Sequence, residues 1–240
     1  MSRRIIAALP EHATYVEPFA GGAQIFFHKN PSPVEILNDL DGEIVNFYRA
    51  VQCHYEELVR HLRFSIVSRR LFELLTATDP KYLTDVQRAA RFFYLQKNSF
   101  GGRVIRQNYH YTIAKRSNYT PSRIPEIIEK THQRLQGVQV ESLPYEQILA
   151  KYDSPETLFY CDPPYFRREL YRFNFSEADF SLLAQRLGQI KGRFVLSLND
   201  APEVRRLFSS FHIDQFQTSY SAQTKAGNRY DELLIVNFAR

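Results

Sequence analysis

The strongest chemical signal in the chain is four consecutive residues, Asp162-Pro163-Pro164-Tyr165. Two successive prolines stiffen the backbone and remove two N–H donors, so the segment offers carbonyl oxygens as acceptors. Asp162 adds a carboxylate acceptor and Tyr165 an aromatic face. Acceptors beside a flat aromatic surface suit a planar base that carries an amino group, because the ring can stack while both N–H bonds are held. Such a nitrogen is a poor nucleophile, since its lone pair is delocalised into the ring. Hydrogen bonds from its protons to Asp162 and the Pro163 carbonyl return density to it and favour the tetrahedral nitrogen of a transition state. The plainer alternative is a rigid surface turn with no chemistry.

A second constellation lies near the N-terminus. Glu17-Pro18-Phe19-Ala20-Gly21-Gly22-Ala23 follows a short apolar run and precedes a helical one. Glycines at a strand-to-helix junction let a ligand approach the backbone and leave the helix N-terminus facing it. Asp39 ends the next apolar run, where a carboxylate can accept from both hydroxyls of a ribose. The competing role for Asp39 is an N-cap of the following helix.

These residues need a scaffold, and the periodicity supplies one. Strand-like runs fall at Thr14–Val16, Val34–Leu37, Val138–Glu141, Thr157–Cys161, Arg193–Leu198, Ile213–Thr218 and Glu232–Phe238. Helical runs fall at Arg3–Leu9, Gly42–Val51, Ser176–Leu187 and Pro202–Phe208. That alternation is the mark of a parallel sheet covered by helices. From His54 to Gln136 strand patterns are sparse: helices at Glu56–Phe64, Ser68–Thr76 and Thr84–Asn98 give way to a basic, tyrosine-rich loop region. The expected organisation is one α/β domain built from residues 1–53 and 137–240, with a largely helical insert at 54–136. Run Leu158-Phe159-Tyr160-Cys161 then delivers Asp162 to the C-terminal edge of the sheet, where ligands of open α/β sheets bind.

Charge is concentrated. Lys97, Arg103, Arg106, Lys115, Arg116, Arg123, Lys130 and Arg134 face only Glu126 and Glu129 in the same stretch. The chain as a whole is +5, so this stretch holds its entire positive excess. A localised positive field suits a polyanionic partner, although a solvated basic face gives the same pattern. No apolar run approaches the roughly 20 residues needed to cross a bilayer, and no secretory signal is visible at Met1-Ser2-Arg3-Arg4. Two cysteines, Cys53 and Cys161, are too few for a disulfide framework, which points to reduced thiols and the cytoplasm. The histidines lack metal-ligand spacing, so no metal is expected.

Taken in order, Glu17-Pro18-Phe19-Ala20-Gly21-Gly22, Asn38-Asp39 and Asp162-Pro163-Pro164-Tyr165 resemble the Dam-type adenine-specific DNA methyltransferases. The resemblance covers nearly the whole chain. Asn98-Ser99-Phe100-Gly101-Gly102-Arg103 is similar to the block that opens that family's DNA-recognition part, and the segments 194–200 and 232–237 are similar to its later strands. It implies a Rossmann-like methyltransferase sheet with an inserted, mostly helical DNA-recognition domain, and S-adenosylmethionine as methyl donor. By position, Glu17, Phe19, Gly21, Gly22, Asp39 and Asp162 would form the cofactor site, with Asp39 on the ribose. Asp162, Pro163, Pro164 and Tyr165 would hold the N6 amino group of an adenine flipped out of the duplex, Tyr165 replacing its lost stacking. Asp at the first position of that segment favours adenine over cytosine.

DNA contact would fall to Asn98, Arg103, Arg106, Lys115 and Arg116 in the insert, with Tyr109, Tyr111 and Tyr119 packing on sugars or displaced bases. Lys225 and Arg229, in a late strand connection, could close over DNA or form an ordinary hairpin. Double-stranded DNA is thus the expected partner, with a cognate restriction endonuclease as a candidate second one, and the enzyme is expected to be a monomer. The resemblance departs in two places. The family's Gly-Gly-Lys segment, which helps bind the cofactor, does not precede Met1-Ser2-Arg3-Arg4, implying a shortened reading frame or weaker cofactor binding. The acidic residue often found after the strand that follows the insert is not evident, Glu141 being a weak substitute. Two further readings therefore stand beside the main one: a catalytically weakened DNA-binding relic, and an enzyme acting on adenine in RNA.

Overall fold

The structure is a computed structural model and describes residues 2–99, 108–109, 119–167, 172–219 and 229–239, without the side chains of 217–219, 229 and 230. The chain divides into two units, one of residues 1–40, 138–169 and 173–240, the other of 41–137 and 170–172.

In the first unit the apolar runs become strands β1 (Thr14–Glu17), β2 (Val34–Asn38), β3 (Gln139–Glu141), β4 (Thr157–Cys161), β5 (Arg193–Asn199), β6 (His212–Ser219) and β7 (Arg229–Val236). They form a seven-stranded sheet in the order β3-β2-β1-β4-β5-β7-β6. The pairs β1–β2, β1–β4, β2–β3 and β4–β5 are parallel, whereas β7 runs antiparallel to both β5 and β6. Every residue of β4 is buried, and so is all of β5 between its end residues, which explains their continuous apolar character. Helices α1 (Ser2–Ala7), α2 (Gln24–His28), α8 (Tyr145–Tyr152), α9 (Glu177–Leu187) and α10 (Pro202–Leu207) accompany the sheet. Phe180, Leu183 and Leu187 of α9 and Val204 of α10 join Phe159, Phe194, Leu196 and Ile235 of the strands in one apolar core. Helix α9 starts where Ser176 and Asp179 form a capping box.

The order of connection reverses between β1 and β4. Val16 lies opposite Phe159 in parallel register, so the segments leaving β1 and β4 emerge side by side. A crevice at such a switch point is the ligand site of open α/β sheets.

The second unit is helical: α3 (Gly42–Cys53), α4 (Tyr55–Arg63), α5 (Arg69–Ala77), α6 (Asp85–Asn98) and α7 (Ile124–Leu135). Its first edge is Asp41, not residue 54, because α3 packs within it. Phe47 of α3 lies against Phe92 and Phe93 of α6, and Gln52 of α3 donates to the Leu135 carbonyl of α7. Buried Glu43 pairs with Arg88 of α6 at 2.5 Å. Helix α7 occupies part of the region expected as loop. Pro125 stands in its first turn, where proline is tolerated, and Ile124, Ile128 and Leu135 form its buried stripe.

Candidate active site

Asp162 is the first residue past β4, and what holds it comes from β5. The Ser197 hydroxyl donates to Asp162 Oδ1 at 2.9 Å, and the Tyr160 hydroxyl lies 3.0 Å from Ser197 Oγ. Tyr160 and Ser197 are buried while Asp162 is exposed. An accessible carboxyl crowded by protein is what a concave wall provides. Crowding, which disfavours the charged form, pushes the Asp162 carboxyl above the usual carboxylate range; the Ser197 bond opposes this and like-charged Glu232 adds to it. Solvent access softens the rise. Pro163 is buried and Pro164 half-buried. Tyr165 is also buried, and its hydroxyl donates to Glu232 Oε1 of β7 at 3.0 Å. Its ring is therefore already packed, and stacking on an incoming base requires those surroundings to loosen.

The glycine turn stands next door. Gly21 has φ +49°, the left-handed region that costs an L residue about 1–2 kcal/mol. A side chain there would meet no atom within 4 Å, so conformation alone calls for glycine. The Gly21 N–H donates to Asp39 Oδ2 at 2.8 Å, which ties the turn after β1 to the end of β2. Asp39 does not cap α3; Asp41 does, accepting from the Glu43 N–H at 3.0 Å. Asn38, not singled out in the sequence as a contact, is the clamp between the loops. Its Nδ2 donates to the carbonyls of Pro18 (2.8 Å) and Leu143 (3.0 Å), and its Oδ1 accepts from the Leu143 N–H (2.8 Å).

Glu17 faces inward. It is 1% exposed, and Oε1 accepts from the Tyr15 hydroxyl at 2.7 Å and from the Phe26 N–H at 2.8 Å. Burial pushes its carboxyl up to about 8, against those two bonds, and Asp162 contributes repulsion. Glu17 thus supports the turn from beneath and senses the charge of Asp162. Phe19 is half-buried against Tyr145 (5.2 Å between ring centres) and Phe175 (5.6 Å), an aromatic wall beside the turn. The Tyr145 hydroxyl is buried with no hydrogen-bond partner among the described residues. Glu141 is engaged by Lys151 at 2.5 Å and by the Tyr152 hydroxyl at 2.7 Å, which hold its carboxyl below the usual range.

Of the residues expected on DNA, Asn98 lies at the end of α6, 2% exposed, its Nδ2 donating to the Tyr94 carbonyl at 2.9 Å. Tyr119 is likewise buried, its hydroxyl donating to the Leu62 carbonyl at 2.7 Å, and the Tyr109 ring lies 5.5 Å from that of Phe72. Arg103, Arg106, Tyr111, Lys115, Arg116 and Lys225 lie outside the described residues, as does the Arg229 side chain. Sequence reasoning missed Ser197 and Glu232. Each is a polar residue inside an otherwise apolar strand, Phe194-Val195-Leu196-Ser197-Leu198 and Glu232-Leu233-Leu234-Ile235, and that mismatch was the available signal.

Sheet order and switch point define a doubly wound α/β domain, a class whose ligands bind at the C-terminal edge of the strands. The family can be stated: residues 1–222 match the D12 class N6 adenine-specific DNA methyltransferases, and the chain belongs to that family. It is similar to the type II methyltransferase M.CviBI of Paramecium bursaria Chlorella virus NC1A, 24% identical over 234 residues, spanning 92% of this chain and 86% of that protein. It is also 26% identical to the type II methyltransferase M1.LlaDCHI of Lactococcus lactis subsp. cremoris, over 93% of this chain and 86% of that one. A DNA N-6-adenine-methyltransferase of Escherichia phage P1 is 25% identical over 94% of this chain and 32% of its own length. The protein is thus an adenine-specific DNA methyltransferase with DNA as substrate and S-adenosylmethionine as methyl donor. Among the described residues no helix is long and apolar enough to cross a membrane.

Proposed function

We propose that methyl transfer takes place at the β4 edge, with Asp162 and the Pro163 carbonyl accepting hydrogen bonds from the N6 amino group of an adenine displaced from the duplex. The observation that carries this reading is the placement of Asp162: accessible, at the switch point, beside the glycine turn, with one oxygen already held by Ser197. The residues present fit the donor. Asp39 is half-exposed at the end of β2, Phe19 and Tyr145 form an aromatic wall, and the buried Tyr145 hydroxyl has no hydrogen-bond partner among the described residues. When bound, S-adenosylmethionine supplies an electrophilic methyl group, which passes to the adenine nitrogen as the sulfonium becomes a neutral thioether. Asp39 would hold the ribose, and Phe19, Gly21 and Gly22 would line the site, with Glu17 bracing the turn. Asp162 draws the amino protons toward itself, favours tetrahedral nitrogen and orients it for in-line attack. The surplus proton then leaves the methylated nitrogen for water. A base inside a duplex is out of reach of such an edge, so it is extruded.

The helical unit, with the basic stretch from Lys97 to Arg134, is assigned to target recognition. The enzyme is further proposed to be a cytosolic monomer with a cognate restriction endonuclease as companion, the latter on the likeness to type II methyltransferases. Transfer of tritiated methyl groups to unmethylated duplex DNA, with structured RNA as competitor, tests the function. Labelled N6-methyladenine in DNA is expected; preferential labelling of RNA, or saturable donor binding with no transfer, would overturn it.

A further inference from the structure

Beneath Asp162 lies a chain of hydroxyl groups that the reaction scheme above does not use. Tyr160 is in β4 and Ser197 in β5, and both are buried. In the β4–β5 register Cys161 stands opposite Leu196, which brings Ser197 level with Asp162. A serine hydroxyl has one proton to give, and an ionised carboxylate can only accept. The 2.9 Å contact therefore commits the Ser197 proton to Asp162 Oδ1. Ser197 Oγ must then accept at its other contact, so the Tyr160 hydroxyl, 3.0 Å away, is the donor there. With Asp162 ionised, the direction of the chain is fixed: Tyr160 to Ser197 to Asp162. Tyr160 keeps its proton throughout, because burial and the neighbouring Asp162 raise its phenol well above the ordinary range.

We infer that Ser197, anchored by Tyr160, is a positioning residue for methyl transfer: it turns Asp162 Oδ1 toward the protein and so presents Oδ2 to the adenine amino group. The inference rests on the reading of Asp162 as the acceptor for that group. A carboxylate on a single-bond stem rotates freely unless one oxygen is fixed, and misaligned acceptors stabilise the transition state less. Two other acids face the same spot, Glu17 from β1 and Glu232 from β7, alongside Cys161 and Tyr160 of β4. Glu232 disfavours a negative charge at Asp162, and a charge at Asp162 in turn helps keep Glu17 protonated. The Ser197 bond is the contact that favours the ionised form of Asp162.

The test uses the full chain carrying Ser197→Ala, Ser197→Thr, Tyr160→Phe and, as a control, Asp162→Asn. The measurements are single-turnover transfer to unmethylated duplex DNA across pH, donor affinity by calorimetry, and the titration of the Asp162 carboxyl by carbon NMR in donor-free protein. Ser197→Ala is expected to slow transfer about ten- to a hundredfold, the worth of a hydrogen bond to a charged group. Donor affinity should hold, the acid limb of the rate profile should move to higher pH, and the Asp162 carboxyl should titrate at higher pH. Ser197→Thr keeps the hydroxyl and should recover most of the rate, while Tyr160→Phe should shift both readouts in the same direction by a smaller amount. A folded Ser197→Ala protein with the parental rate and an unmoved Asp162 titration would overturn the inference. So would equal losses in the Ala and Thr variants with no shift in titration. If Asp162→Asn itself transfers at the parental rate, it is the reading of Asp162 that has failed.

Discussion

The Tyr165 hydroxyl donates to Glu232 Oε1 at 3.0 Å, pinning the rigid segment after β4 to the antiparallel strand β7 across 67 residues of sequence. The acceptor-rich loop is thus fixed at both ends, by Ser197 at Asp162 and by Glu232 at Tyr165.

Tyr165→Phe keeps the ring and removes that bond. Stability should fall by about 1–3 kcal/mol, the cost of leaving a buried acceptor short of a donor, measured by urea denaturation. If Tyr165 also stacks on the extruded base, transfer by the Phe variant should stay within several-fold of the parent, whereas Tyr165→Ala should lose far more. Equal rates for Phe and Ala would remove the ring from the reaction.

Asp162→Ala removes an accepting group aimed at the amino nitrogen. A loss of about 3–4 kcal/mol in transition-state stabilisation is expected, typical of a preorganised polar partner. Calorimetry should show donor binding close to the parental level, because Asp39 and the glycine turn are untouched. A parental rate would exclude Asp162 from the mechanism.

Stability should depend on pH through Glu17. Its carboxyl is raised from 4.5 to about 8 in the folded protein, so the folded state holds a proton that the unfolded state releases. This contribution is complete below about pH 4.5 and is lost as pH rises toward 8. Glu17→Gln keeps an oxygen acceptor for the Tyr15 hydroxyl and the Phe26 N–H without the charge. The variant should therefore lose less stability than the parent between those pH values, by about a few kcal/mol. Thermal melts across that range check it, and parallel curves for the two proteins would refute it.

Gly21→Ala tests the turn. Space is open around the added methyl, so the penalty is backbone strain of about 1–2 kcal/mol. That strain acts on the peptide held by Asp39, and donor affinity should drop about tenfold with little change in the transfer rate at saturating donor. Unchanged affinity by calorimetry would separate the turn from the donor site.

Much of this architecture was legible in the residues themselves. The strands from Thr14, Val34, Thr157 and Arg193 begin at the residues where apolar runs begin, and Ser176 and Thr84 mark helix starts because capping is a local bond between near neighbours. Two helices were not legible. Helix α7 follows a turn that begins at Pro121 and carries Pro125 in its own first turn, and two prolines so close together read as loop. Helix α8 has only Tyr145, Ile148 and Leu149 as its buried stripe, too short a repeat to stand out.

The sequence by itself determined the chemistry available at the site: a carboxylate, two prolines and a tyrosine at the end of an apolar strand, and a glycine turn followed by Asp39. Those are properties of adjacent residues, fixed by residue type and backbone sterics. Only the tertiary structure decided how the site is held. Ser197 reaches Asp162 from 35 residues away and Glu232 reaches Tyr165 from 67, contacts created by strand pairing that no local pattern encodes. The fold likewise turned Glu17 inward to Tyr15 and Phe26 and assigned the helix cap to Asp41 instead of Asp39. A polar side chain takes its partner from whatever the packed sheet brings within reach.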